Sequence, residues 1–101
     1  MPRMSRQDAE KLLADVPEEN VFRCCDGRIF RNAQELKDGL RAMSDDTYSY
    51  HVTPEKNDFS NWVRNTVGDN KLATDLTRST NPSVAARRVE ERLAFLQSKL
   101  A

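Results

Sequence analysis

Apolar residues return every three or four positions over most of this chain, the spacing of helices with one buried face. Ala9, Leu12, Leu13 and Val16 share such a face. Ser5 ahead of them can cap a free amide, with Asp8 in the positive first turn. Pro17 ends this first helix, because proline pushes the residue before it out of helical angles. Asn32 and Glu35 open a second helix in the manner of a capping box, and Ala33, Leu36, Leu40 and Met43 carry its stripe. Ser44-Asp45-Asp46 starts a short third one with Tyr48, His51 and Val52 on one side. Thr53-Pro54 breaks it, and Pro54 suits the first position of a fourth helix, whose inner face is Phe59, Trp62, Val63 and Val67. Gly68 then stands where a left-handed terminating residue is wanted. Asp69 caps a fifth helix with Leu72, Ala73 and Leu76 inward. Asn81-Pro82 opens a last one, with Ala85, Val89, Leu93, Leu96 and Leu100 in a stripe to the end.

Residues 21–30, VFRCCDGRIF, break the helical period. Two strand-favouring runs flank Asp26-Gly27, a pair suited to the positive backbone angles of a tight turn, so a small hairpin is expected there. With a two-residue loop, Phe22, Cys24 and Ile29 would share its inner face. Two strands alone are marginal, so the hairpin must lean on helices. The expected fold is mainly α: a compact single-domain bundle of five to six short helices over residues 1–101, with one small β-hairpin near residues 21–30.

Composition narrows the classes of function. Val, Ile, Leu and Phe make up 21 of 101 residues, a small core under a heavily charged surface. The 16 basic and 16 acidic residues balance, which argues against a nucleic-acid partner or an anionic membrane, since many phosphates need a basic excess. No apolar run is long enough for a leader or a membrane span, so a cytoplasmic protein with no membrane association is expected. Cys24 and Cys25 are adjacent and cannot staple distant parts of the fold, so reduced thiols are the default.

The candidate chemistry lies between Tyr48 and Gly68, which hold the only histidine, the only tryptophan and both tyrosines. Histidine is the residue type whose ordinary chemistry suits proton transfer near neutral pH, which makes His51 the candidate, and Asp58 is the carboxylate that could orient it. The bland alternative is a half-buried histidine bonded to a cap or carbonyl. Asn57 and Asp58, ahead of Phe59, are the short polar residues that tie down a helix start. Trp62 is either a core anchor or, if it or Tyr50 is exposed, a binding hot spot. Cys24, Cys25, His51 and a carboxylate could recruit zinc, but the separated cysteine pairs of a strong zinc signature are absent, and adjacent thiols chelate one ion poorly. No metal, cofactor or catalytic residue is therefore assigned. Arg87, Arg88, Arg92 and Lys99 make a basic strip on the last helix, interrupted by Glu90 and Glu91.

Several of these marks occur together: Phe22 with Cys24 and Asp26-Gly27, Leu36 and Leu40, Tyr50-His51-Val52, Asn57-Asp58-Phe59, Trp62, and Gly68-Asp69 with Leu72-Ala73. In this the stretch 22–76 resembles a family of small prokaryotic domains of unknown function. The resemblance implies a shared fold and brings no activity, substrate or cofactor. The function expected from the sequence is a binding module that docks a protein partner or forms a homo-oligomer, using the surface around Tyr50, His51, Asn57, Asp58 and Trp62. Two alternatives stand beside it. One is a small-ligand binder or enzyme with His51 and Asp58 as an acid-base pair; the other is nucleic-acid or ribosome association through the Arg87, Arg88, Arg92 strip.

Overall fold

In the computed structural model, which describes residues 4–101, six helices enclose one core. Met1–Arg3, the start of the expected domain and of the stretch read for a leader, lie outside the described residues. Helix α1 spans Arg6–Leu13, and Ser5 and Asp8 close a reciprocal capping box at its start. It ends four residues before Pro17, so Val16 is not on its face. Val16 instead lies in an extended connection, donating its N–H to the Arg31 carbonyl at 2.8 Å, and still packs against the core. A single 3-10 turn, Glu18–Asn20, leads into strand β1, Phe22–Arg23, paired antiparallel with β2, Ile29–Phe30.

The register corrects one expectation. Phe22 opposes Phe30 and Arg23 opposes Ile29, so the Cys24 N–H meets the Arg28 carbonyl and three residues, not two, form the loop. The Gly27 N–H closes a turn onto the Cys24 carbonyl, and Gly27 takes the left-handed angle, φ +94°, that a turn followed by a bulge requires. A one-residue shift in register reverses every side chain of the second strand. Phe30 therefore faces the core, and Ile29, expected inside, is exposed.

Helix α2, Ala33–Ala42, is capped by Asn32, and α3, Asp45–His51, by Ser44, both as expected. Pro54 starts no helix. Residues 52–57 fold into a second hairpin, β3 (Val52–Thr53) against β4 (Lys56–Asn57), with Pro54-Glu55 at its tip. Helix α4 begins only at Asp58, runs to Trp62 and widens into a π turn over Val63–Val67. Gly68 closes that turn at φ +88°, its N–H reaching back to the Val63 carbonyl. Helices α5, Asn70–Thr77, and α6, Pro82–Ser98, complete the fold. The longest helix, α6, lies along α2 and also touches α1 and α5, burying Ala85, Ala86, Val89, Leu93 and Leu96.

The first hairpin meets α2 through a close approach. Phe30 lies so tightly over Gly39 of α2 that a methyl group there would fall 2.2 Å from its Cζ. Across the core, Asp69 caps α5 through the Leu72 N–H and receives a bidentate contact from Arg92 of α6, at 2.9 and 3.0 Å. Both members of this pair are largely buried. Among the described residues no helix is long and apolar enough to cross a membrane.

Candidate functional site

His51 is the last residue of α3, placed one turn after Tyr48 so that both rings enter the core. Phe22 of β1 and Phe59 of α4 flank the imidazole, each with its ring centre 5.2 Å away. Both ring nitrogens are engaged. The Cys25 N–H, in the first hairpin's loop, donates to Nε2 at 3.1 Å, and Nδ1 meets Asp58 Oδ2 at 2.9 Å. A nitrogen that accepts from a backbone amide carries no proton, so the proton lies on Nδ1 and the ring is neutral. His51 is thus a bridge from hairpin β1–β2 through α3 to the start of α4. The aromatic residues around it exclude water, which strengthens both bonds.

Asp58 is the second member of that bridge. It opens α4, accepts from His51, and also meets Lys56 Nζ at 3.0 Å. Burial alone would push its carboxyl up, but the hydrogen bonds from His51 and Lys56 and the Lys56 charge outweigh that and hold it below its ordinary value. Asn57 caps α4 through the Ser60 N–H, and its amide nitrogen donates to the Leu76 carbonyl, tying the second hairpin to the end of α5. Trp62 is buried against Phe22, its Nε1–H donating to the Asn20 carbonyl at 2.9 Å. The tryptophan is therefore the core anchor, and the alternative of an exposed ring falls to Tyr50.

Tyr50 is 64% exposed. Its ring stands edge-on to His51 with centres 5.0 Å apart, and Lys56 Nζ lies 5.8 Å from its centre. Lys56 also lines a hollow of about 230 Å³ along the second hairpin, shared with Val52, Glu55, Asn57 and Thr77. Of the five residues singled out in the sequence, four are internal braces and one, Tyr50, meets solvent with most of its ring.

The structure also brings together three donors that the sequence offered and their spacing argued against. Cys24 and Cys25 lie in a turn and not in an extended segment, so their side chains do not diverge, and the two thiols and a His51 nitrogen lie within 4.8 Å of one another. The geometric objection to a metal at Cys24, Cys25 and His51 therefore does not hold for this loop. Burial pushes the Cys24 thiol up to about 11, while Cys25 is exposed. Cys25 and His51 are 26 positions apart in sequence, so no local spacing signals that they meet.

The basic strip on α6 is not a free row of charges. Arg92 is turned inward to Asp69, and Arg88 pairs with Glu91. Comparison with protein families, curated proteins and solved structures finds no match for the chain.

Proposed function

We propose that this chain is a small interaction module that docks a protein partner, or a second copy of itself, through the face formed by Tyr50 and hairpin β3–β4. The observation that supports it is the mounting of Tyr50: a large amphipathic ring, mostly in solvent, resting on a histidine whose own nitrogens are both engaged. Such a ring loses little conformational freedom on binding, which is why tyrosine is common among the residues that dominate interfaces. The shallow hollow beside Lys56 gives a neighbouring surface for a partner's side chain.

The acid-base alternative has half of its geometry, because His51 and Asp58 do meet. The other half works against it. The imidazole is buried, and the nitrogen that would take a proton is held by the Cys25 amide. The larger hollow, about 390 Å³ between α5 and α6, is lined by Lys71, Asp75, Arg88, Glu91, Arg92 and Phe95. Its charges neutralise one another or Asp69, which favours neither an anionic ligand nor a nucleic-acid backbone.

A photo-crosslinking residue in place of Tyr50 tests the proposal in the producing cell, with the same residue in place of exposed Arg87 as the control. Sedimentation of the purified chain at micromolar concentration accompanies it. The expected result is a discrete adduct from position 50 alone, either to another protein or to a second copy. A monomer in sedimentation, with no adduct above the control, would overturn the proposal.

A further inference from the structure

We propose that Cys24, Cys25 and His51 form a binding site for a thiophilic d10 cation, Zn(II) or Cu(I), at the tip of the first hairpin. Three observations converge on it. The donor atoms, two sulfurs and an imidazole nitrogen, lie within 4.8 Å of one another. With metal–sulfur bonds of about 2.3 Å and metal–nitrogen bonds of about 2.0 Å, tetrahedral donors sit roughly 3.5–4 Å apart. The cluster therefore needs to close by about 1 Å. A three-residue loop with an exposed Cys25 can supply that by side-chain rotation.

The second observation is the orientation of His51. Asp58 accepts the hydrogen bond from Nδ1–H, which leaves the Nε2 lone pair directed at the loop that carries the thiols. A carboxylate behind a histidine in this way fixes the tautomer and raises the basicity of the ligating nitrogen. The third is what an ion would displace. The present occupant of Nε2 is the Cys25 N–H, and Cys25 is exposed, so water can take over that amide when the ion claims the lone pair. Cys24, buried beneath, contributes a sulfur from the protein side, and Cys25 one from the solvent side.

Two sulfurs and one imidazole select borderline-to-soft cations over magnesium or calcium, which prefer oxygen. Binding replaces both thiol protons with metal–sulfur bonds and releases those protons to solvent, so affinity rises with pH. No oxidation or reduction is involved. Two thiolates balance the charge of Zn(II), whose fourth position is then open to water; Cu(I) is content with the three donors. Asp58 is a positioning residue, acting through His51 and not on the ion.

The reduced, metal-free full chain is titrated in two arms: Zn(II), with Co(II) as its coloured stand-in, and Cu(I) against a competing chelator. The site predicts one equivalent of at least one of the two ions, read in the Zn(II) arm as sulfur-to-cobalt charge-transfer absorption in the Co(II) sample and, for whichever diamagnetic ion binds, as a displaced His51 Nε2 resonance. Cys25→Ser, at an exposed position and checked for folding by circular dichroism, should weaken binding of whichever ion the parent takes, because one of the two sulfur donors is lost. Asp58→Asn should weaken binding by about 10–100-fold without changing the stoichiometry. Any one of three results would overturn the assignment: neither ion bound at one equivalent, Cys25→Ser binding as tightly as the parent, or an Nε2 resonance that ignores the bound ion.

Discussion

Arg92→Met should destabilise the fold by about 3 kcal/mol, and adding Asp69→Asn should restore part of the loss. Asp69 is only 2% exposed and meets two of the guanidinium nitrogens of Arg92. Removing one member of a buried ion pair typically costs about 3–5 kcal/mol, because the remaining charge is left in a poorly solvating site. The lower end applies here, since the Arg92 side chain keeps 13% of its exposure and the Leu72 N–H still donates to Asp69. Against a total stability of roughly 5–15 kcal/mol for a domain of this size, that is a large fraction. The change to asparagine removes the orphaned charge while keeping an oxygen to cap α5, so the double variant should recover about 1–2 kcal/mol over Arg92→Met alone. Urea unfolding followed by the fluorescence of Trp62 measures all three proteins. With a slope of about 1–3 kcal/mol/M, Arg92→Met should lower the midpoint by roughly 1–3 M. An Arg92→Met protein within about 1 kcal/mol of the parent, or a double variant weaker than the single one, would refute the reading of this pair as structural. It would also reopen Arg92 as part of a surface strip.

Two further outcomes follow from the core. Gly39→Ala should lower the melting temperature although alanine favours helices by about 1 kcal/mol, because the new methyl would collide with the Phe30 ring at 2.2 Å and overpacking costs about 1–3 kcal/mol; a higher melting temperature would contradict the close packing of α2 on β2. Tyr48 is buried and donates to the Ser79 carbonyl at 3.2 Å, and burial holds its phenol above the ordinary value. Its contribution to stability is therefore complete below about pH 10 and lost as pH rises through the folded value, so Tyr48→Phe should flatten the alkaline fall of stability in urea midpoints measured against pH.

The helices were legible because their signals are local. Ser5, Asn32, Ser44, Asn57, Asp69 and Asn81 each accept a backbone N–H at a helix start. The stripes between those caps became the core, with Leu36, Leu40, Leu72, Leu76, Val89 and Leu96 buried. What escaped was settled by distant partners or by a single residue of register. Asp26-Gly27 fits a two-residue or a three-residue loop, and only the packing of Phe30 against Gly39 selects the latter. Pro54 fits a hairpin tip as well as a helix start, and the tie from Asn57 to the Leu76 carbonyl favours the hairpin. At the site, the pairing of His51 with Asp58 is local, across seven positions of sequence. The Cys25 amide, the Trp62 bond to Asn20 and the Arg92 pair with Asp69 link residues that share no local pattern. The same holds for Tyr50: its aromatic neighbours in sequence are buried, and only its position on the outer side of α3 leaves it exposed.

His51 is a neutral bridge whose two nitrogens have fixed and different roles. A long-range proton–nitrogen correlation spectrum of the reduced, metal-free protein at neutral pH reads those roles directly, with no other histidine to overlap. The geometry predicts a protonated Nδ1 and a bare, hydrogen-bonded Nε2. A proton on Nε2, or two averaged nitrogens typical of a ring tumbling in water, would contradict it.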